Sequence, residues 1–443
     1  MLALSNEILG LYMIGAMLFA IFIGFPISFT LIFLGIVFGA LGFGMKLTIF
    51  LMTLQFYGSM MEQTLAAVPL FVFMGFMMEQ AGLMERLFSA IQLMLARMKG
   101  SLYLAVLFVS VIFGAATGIV GASVTILGIM AATTMSRSGY DVRLAAGTIT
   151  AGGTLGILIP PSIMLVVMGP VLEVPVTDLF AAAIIPGIMM AVLYTLYTLG
   201  RCWLNPSLGP PLPEDMIPEN RSDIWKEFFL GLVPPTVLIA FAMGSILSGW
   251  ATPTEGAGMG AFGSLVLTIA YGKFGWKKTY DALIKTLEIS VLILFLVAAS
   301  NFFGAVFSRL GTPSMITDIL LGLDFGPSMI IIMILTLVFL LGWPLEWVPI
   351  VLIILPILQP VLIELDVNMT WFAILVAVCL QTAWLSPPVA LSAYFLKGVA
   401  PDWDLKDIYY GMMQFMVIQL IGLGFVFVFP ELALWLPRYL YGN

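Results

Sequence analysis

The 443-residue sequence contains no histidine, and Asp, Glu, Lys and Arg together make up only 9% of it. Without imidazole, His-based acid–base chemistry, His metal ligation and His proton relays are excluded together. Cysteine is nearly absent too: Cys202 and Cys379 are the only two. One falls at the end of an apolar run and the other inside one, which argues against a structural disulfide. Long polar stretches are equally scarce. Only Cys202–Lys226, with LGPPLPEDMIPENRSD, is extended, polar and proline-rich, and it reads as a linker. What remains is 61% hydrophobic, more apolar surface than a soluble core can absorb, so the chain is an all-α polytopic membrane protein. The net charge of −7 says little, because the placement of Lys and Arg is what sets orientation. The first apolar run, Ile8–Phe22, lacks a basic flank and a small-residue cleavage site and reads as a span, not a signal peptide.

Two stretches organise the rest. Ala151–Met168 (AGGTLGILIPPSIMLVVM) and Ala377–Phe395 (AVCLQTAWLSPPVALSAYF) have helical length, yet each is interrupted by a proline pair, Pro160-Pro161 and Pro387-Pro388. Proline has no N–H, and its ring collides with the carbonyl four residues back. The first pair releases the carbonyls of Gly156 and Ile157, the second those of Ala383 and Trp384. An unpaired carbonyl in hydrocarbon costs several kcal/mol, so such breaks persist only where protein or a bound ion satisfies them.

Other landmarks recur at nearly the same spacing. Pro26 and Pro253 are 227 residues apart, Gly82 and Gly311 229, Gly114 and Gly342 228, and the proline pairs 227. A looser match joins GIMMAVLYTL from Gly187 to GMMQFMVIQL from Gly411. The shared order predicts an internal duplication, with halves at 1–200 and 227–443 joined by a cytoplasmic linker at 201–226. Around GAATGIVG, the arm Ser101–Phe113 reaches ~20 Å at ~1.5 Å per residue, short of the ~30 Å hydrocarbon core. That predicts a re-entrant hairpin over 101–136. Its base carries Arg97, Lys99, Arg137 and Arg143, whereas the partner hairpin over 327–364 has Asp324, Glu364 and Asp366 at its base and no Lys or Arg. By the positive-inside rule the first enters from the cytoplasm and the second from outside, so the halves are inverted.

The broken helices are then expected at 141–172 and 368–396. Spans follow at 8–24, 27–44, 66–82, 178–200, 228–249, 253–272, 289–308 and 409–436. Surface segments follow at 46–64, 83–99, 275–287 and 313–322. Both termini lie outside, and of the basic residues only Lys46, Arg309 and Arg438 do.

Chemistry concentrates at the tips and breaks. GAATGIVGAS at the first tip offers close backbone approach at Gly114, Gly118 and Gly121 and hydroxyls on Thr117 and Ser123; the same small residues also suit tight helix packing. Thr150, Thr154 and Ser162 flank the first break, where hydroxyls and the Gly156 and Ile157 carbonyls could hold a hard cation such as sodium; the alternative is a plain proline kink. The second tip, Gly342-Trp343-Pro344-Leu345-Glu346, carries a carboxylate in an apolar hairpin. It is a functional candidate by its depth, or a cap for the helix that follows. Gln381, Thr382 and Ser386 mirror the polar positions of the first break. ATPTEGAGMG at Ala251–Gly260 reads as a helix N-cap with Glu255 in the first turn.

At these motifs the chain resembles the large membrane subunit of tripartite ATP-independent periplasmic (TRAP) transporters: GAATGIVGAS, GTLGILIPPSI, ATPTEGAG, LQTAWLSPP followed by YFLKGVAP, and DIYYGMMQF. The likeness runs nearly the whole length. It implies an elevator-type secondary transporter of a bacterial or archaeal inner membrane, driven by sodium and without other cofactors. Its implied partners are a small four-helix membrane subunit, a periplasmic substrate-binding protein and an organic acid, with no nucleic acid involved. The form of the first tip is more similar to members handling 2-oxo acids or related monocarboxylates than to sialic-acid members, and C4-dicarboxylates are also family cargo. The resemblance implies sodium ligands at Gly114, Thr117, Gly118, Gly121 and Thr154 in one half and at Gly342, Glu346, Gln381 and Thr382 in the other. The first set is joined by Gly156 from the reading of its break. Substrate is expected between them, at Ser123, Pro160, Pro161, Ser162, Ser386, Pro387 and Pro388. The chain departs from the family where Glu346 stands in place of a frequent Asp and Cys379 in place of a frequent Asn.

Two other readings stay open: a transporter of the same architecture coupled to protons through Glu346, and a non-transporting scaffold or receptor. An intramembrane enzyme is disfavoured by the missing histidines and the absence of an HExxH motif. The transporter readings predict that reading frames adjoining this one encode a small four-span protein and a secreted binding protein. Sequencing the locus checks this, and neighbours lacking both would favour the scaffold.

Overall fold

The computed structural model describes residues 5–211, 221–323, 325–343, 345–387 and 390–442, and for 115–117 and 221–223 the backbone only. The predicted linker positions 212–220 therefore lie outside the described residues. Every element below is helical. The chain opens with α1 (Asn6–Ile23), α2 (Ile27–Phe43), α3 (Met45–Met61) and α4 (Ala67–Gln80). The amphipathic α5 (Leu83–Met94) leads to α6 (Ser101–Thr117) and α7 (Val120–Arg137). Next come α8 (Val142–Thr154), α9 (Ile163–Leu172) and the long α10 (Val176–Leu204). The second half has α11 (Arg221–Leu247), α12 (Pro253–Ala270), α13 (Trp276–Arg309), α14 (Thr312–Leu321) and α15 (Pro327–Leu341). A helical rod follows, made of α16 (Trp347–Pro349), a π-helical turn at Ile350–Ile354 and α17 (Leu355–Glu364). The chain closes with α18 (Met369–Gln381), α19 (Leu391–Val399), α20 (Leu405–Val428) and α21 (Glu431–Tyr441).

Local chemistry explains the boundaries. The Asp141 and Asn368 side chains accept the backbone N–H three residues on, at 2.8 Å and 3.0 Å, and start α8 and α18. Thr252 and Glu255 form a reciprocal capping box at α12, so the structural reading of ATPTEGAG holds. Gly118, left-handed at φ +59°, closes α6 and returns its N–H to the Gly114 carbonyl at 3.0 Å.

Two segments differ from the hydropathy reading. The surface segment 275–287 and the span 289–308 form one 34-residue helix, α13. Hydropathy changes near Lys285 and Glu288, but nothing there removes a backbone N–H, so the helix runs on. The last span ends at Val428; the chain breaks before Pro430 and resumes as the amphipathic α21. The boundary expected between 46–64 and 66–82 is kept: around Glu62 the segment 45–80 bends by 55°, and the Glu62 carboxylate caps the new start by accepting Thr64 N–H.

The core is built from the helices that the prolines break. Every residue from Leu144 to Gly169, and from Phe372 to Thr382, is buried. Lipid-sized apolar side chains face outward instead from the periphery, among them Phe19, Phe22, Phe29 and Phe33 on the first two helices and Phe262 on α12. Helix α20 crosses α8 so closely that a Cβ on Gly411 would overlap the Arg143 carbonyl oxygen, and one on Gly147 would stand 2.6 Å from the Gly411 carbonyl. Both partners there are backbone, which cannot give way. Gly411→Ala is therefore expected to destabilise the protein by about 1–3 kcal/mol, read as a lowered midpoint of thermal unfolding in detergent. An unchanged midpoint would contradict the crossing.

Candidate functional site

Both predicted breaks are present, and they are built alike. Helices α8 and α18 are 13 residues each and start 227 positions apart; a three-residue 3₁₀ turn follows each, at Leu155–Ile157 and Thr382–Trp384. Helix resumes at Ile163 and at Leu391. In each break a serine beside the prolines turns its hydroxyl back on the 3₁₀ turn: Ser162 donates to the Ile157 carbonyl and Ser386 to the Thr382 carbonyl. At the first break this hydroxyl supplies a donor to one of the carbonyls the prolines release; at the second it adds to the Thr382 carbonyl, which also accepts the Leu385 N–H at 3.0 Å. Both serines are buried, at 0% and 1% exposure. Their protons are thus engaged, so toward an anion each offers only lone pairs.

Each hairpin tip meets the break of its own half. Gly114 packs on Gly156 so tightly that a Cβ on Gly156 would stand 2.7 Å from the Gly114 carbonyl oxygen. Gly118 adjoins Ile163, the first residue of α9. At the second tip Gly342 packs on Ala383, with an ideal Cβ there 3.1 Å from the alanine methyl. The two contacts occupy corresponding positions of the halves. Gly121 instead faces Phe395 of α19, so the first hairpin also touches the second break's continuation.

The halves join at the breaks. Gln381 Nε2 donates to the Thr154 carbonyl at 3.2 Å, and these two residues are themselves 227 positions apart. Thr154 and Thr382 each donate their hydroxyl within their own helix, to Ala151 and Cys379 carbonyls at 2.8 Å and 2.6 Å.

The second tip encloses a small cavity of about 30 Å³ lined by Gly342, Trp343, Leu345, Glu346, Ala383, Trp384 and Leu391. That is room for one water-sized species. Glu346 occupies the N-cap position of the helix that follows, but its side chain makes no capping hydrogen bond. It also borders a wider groove of about 770 Å³ between the second hairpin, Pro26–Phe29 and α13, which carries a second carboxylate, Glu288.

The remaining predicted positions are placed as follows. Pro160 and Pro161 are buried and Pro387 half-buried; Ser123 is 6% exposed at the start of α7. The Thr117 side chain and Pro388 lie outside the described residues, as does Pro344 of the second tip.

Sequence reasoning missed Trp384 and Gln419. The Trp384 indole N–H is buried, has no hydrogen-bond partner among the described residues and belongs to a residue lining the small cavity. Its signal was the repeat itself: the corresponding residue in the first half is Ile157, so a donor has replaced an alkyl group. Gln419 is fully buried and its Nε2 donates to Thr154 Oγ1 at 3.2 Å.

The sequence pattern described as "Tripartite ATP-independent periplasmic transporter, DctM component" matches residues 14–432 of this chain. The chain belongs to the DctM family. It is thus a multi-pass membrane permease and not an enzyme. Among curated relatives, this permease is 28% identical to the sialic acid TRAP transporter large permease protein SiaM of Vibrio cholerae, over 95% of this chain and 97% of that one. It is 27% identical to the C4-dicarboxylate TRAP transporter large permease protein DctM of Pseudomonas aeruginosa, over 85% and 87%. The fold is similar to the crystal structure of the Alcanivorax borkumensis YdaH transporter, with a TM-score of 0.64, 15% identity and coverage of 96% and 97%.

In this DctM-family permease the first tip leaves no room for a Cβ on Gly156, whose counterpart is an alanine. Gly156→Ala should push the first tip off its break, lowering stability by about 1–3 kcal/mol and cutting the initial uptake rate about tenfold or more. The reciprocal Ala383→Gly should leave uptake within about twofold. Equal effects of the two variants would contradict the geometry.

Proposed function

We propose that this permease is a secondary active transporter that imports a small organic anion together with sodium. The carrying observation is that two hairpin tips abut two proline-broken helices, with Thr154 and Gln381 hydrogen-bonded where the breaks meet. In this reading the chain is two inverted-topology repeats, 1–200 and 227–443, joined by the cytoplasmic linker at 201–226, with re-entrant hairpins and both termini outside an inner membrane. The breaks and tips form a moving core that travels, elevator fashion, against the peripheral helices.

Sodium is bound by Gly114, Thr117, Gly118, Gly121, Thr154 and Gly156 in one half and by Gly342, Glu346, Gln381 and Thr382 in the other. Support for a cation at the second tip comes from a carboxylate that makes no capping bond, beside a cavity of one-ion size. Support for an anion comes from the first tip. There the start of α9 adjoins the Gly118 turn between α6 and α7, and a helix N-terminus favours negative charge. The cation offsets the cost of drawing that anion into low dielectric. Substrate sits between Ser123, Pro160, Pro161, Ser162, Ser386, Pro387 and Pro388, where Ser162 and Ser386 line the space without donating and the Trp384 N–H is the donor.

The cargo is a carboxylic acid such as a 2-oxo acid or C4-dicarboxylate. This class agrees with relatives named for sialic acid and C4-dicarboxylates. A soluble periplasmic binding protein delivers it, and a small four-helix membrane subunit completes the transporter. A second reading, coupling to protons through Glu346, is favoured by the same uncapped carboxylate, which faces both the small cavity and the groove.

Proteoliposomes holding the permease and both partner subunits separate the two. Dissipating the sodium gradient should abolish uptake, and Glu346→Gln should weaken but keep the sodium dependence. Uptake that ignores sodium, follows an imposed pH gradient and vanishes in Glu346→Gln would establish the proton reading instead.

A further inference from the structure

Around Thr154 the structure holds a polar cluster in which every member is fully buried: Thr154, Gln381, Gln419 and Tyr194 are all at 0% exposure. They come from four helices. Thr154 ends α8, Gln381 ends α18, Gln419 lies on α20 and Tyr194 on α10. The Thr154 hydroxyl has one proton and two lone pairs. Its proton goes to the Ala151 carbonyl at 2.8 Å, and one lone pair accepts Gln419 Nε2 at 3.2 Å. The network fixes the amide orientation. With its proton spent on Ala151, the threonine can only accept, so the Gln419 amide must present nitrogen, and its oxygen points elsewhere. One lone pair on Thr154 is left for a ligand. The Thr154 carbonyl is held separately by Gln381 Nε2 at 3.2 Å. Tyr194 stands against Gln419 and Thr154 and closes the cluster, without meeting hydrogen-bond geometry.

We propose that Gln419 is a positioning residue. It fixes the Thr154 hydroxyl so that the remaining lone pair is presented to the cation, and thereby sets sodium affinity from α20 without contacting the ion. The inference rests on the sodium reading above. Its physical basis is that a hydroxyl in a helix has more than one carbonyl within reach one turn back, as at Thr150, whose hydroxyl lies 2.7 Å from the Ala146 carbonyl and 3.2 Å from that of Gly147. A donor locked onto Thr154 from a neighbouring helix removes that freedom, and a ligand held in one orientation binds its ion more tightly than one that must be ordered first.

The test is a double-mutant cycle on the purified full-length permease in nanodiscs. Sodium is titrated against choline at constant ionic strength, and the thermal unfolding midpoint reports binding. Gln419→Met keeps the volume and removes the donor. It should raise the half-saturating sodium concentration about tenfold, with the midpoint in choline unchanged. Thr154→Val should raise it as well. In the Thr154→Val background, Gln419→Met should add less than about twofold, because the hydroxyl it acts through is gone. An unchanged half-saturation in Gln419→Met, or effects that multiply independently in the cycle, would overturn the proposal. Should Gln419→Met not fold, Gln419→Asn, polar but too short to reach Oγ1, takes its place in the same cycle, and the same two results would overturn the proposal. A wild-type protein without any sodium response is a separate failure: it refutes the coupling reading itself and carries this inference down with it.

Discussion

Proline twice withholds backbone N–H groups from a helix that would otherwise sit in hydrocarbon, and the rest of the molecule is arranged to make that tolerable. Stranded carbonyls at such depth cost several kcal/mol each unless something answers them. The structure answers in layers. Ser162 returns its hydroxyl to the released Ile157 carbonyl. The Gly114 and Gly342 tips press against Gly156 and Ala383. The first broken helix is then encased, with no residue from Leu144 to Gly169 facing out, and so is α18 of the second from Phe372 onward. Helices that could lie anywhere in a bilayer are thereby confined to a shell around the two breaks.

Within that frame the halves share a skeleton but differ in chemistry. Asp141 and Asn368 start helices of equal length, yet Gly156 corresponds to Ala383, and Ile157 to Trp384. The first tip has left-handed Gly118 where the second carries Glu346. In the periphery the first half bends by 55° at Glu62, whereas α13 passes unbroken through the equivalent position. A scaffold with two equivalent sites would have no reason to place a carboxylate and an indole donor at only one of them.

The broken helices, the hairpins and the spacing between them were legible in the sequence because proline and glycine act locally. A missing N–H or a left-handed turn has the same consequence in any surroundings. The boundary drawn at Glu288 failed for the opposite reason. Hydropathy reports where polar side chains cluster, not where backbone hydrogen bonds end, so one continuous helix was read as two pieces. The direction of side-chain hydrogen bonds was illegible altogether. Ser162 and Ser386 look like substrate ligands in sequence, but their protons are directed into their own backbone. Gln419 looks like an ordinary residue of a last span, yet it reaches Thr154 across 265 positions of chain. Such contacts depend on which helices cross, and crossing is set by close backbone approach at Gly147 and Gly411, which no local pattern announces.

The central claim is that the tips and breaks together cradle a cation that moves with the cargo. Its most direct test is a pair of density maps of the permease with its partner subunits, one in sodium and one in choline. The account predicts a density peak in sodium, absent in choline, between the Gly342–Glu346 tip and the Ala383–Trp384 turn, with the helix breaks preserved in both. Identical maps with no such peak, or breaks that close into continuous helix, would contradict it.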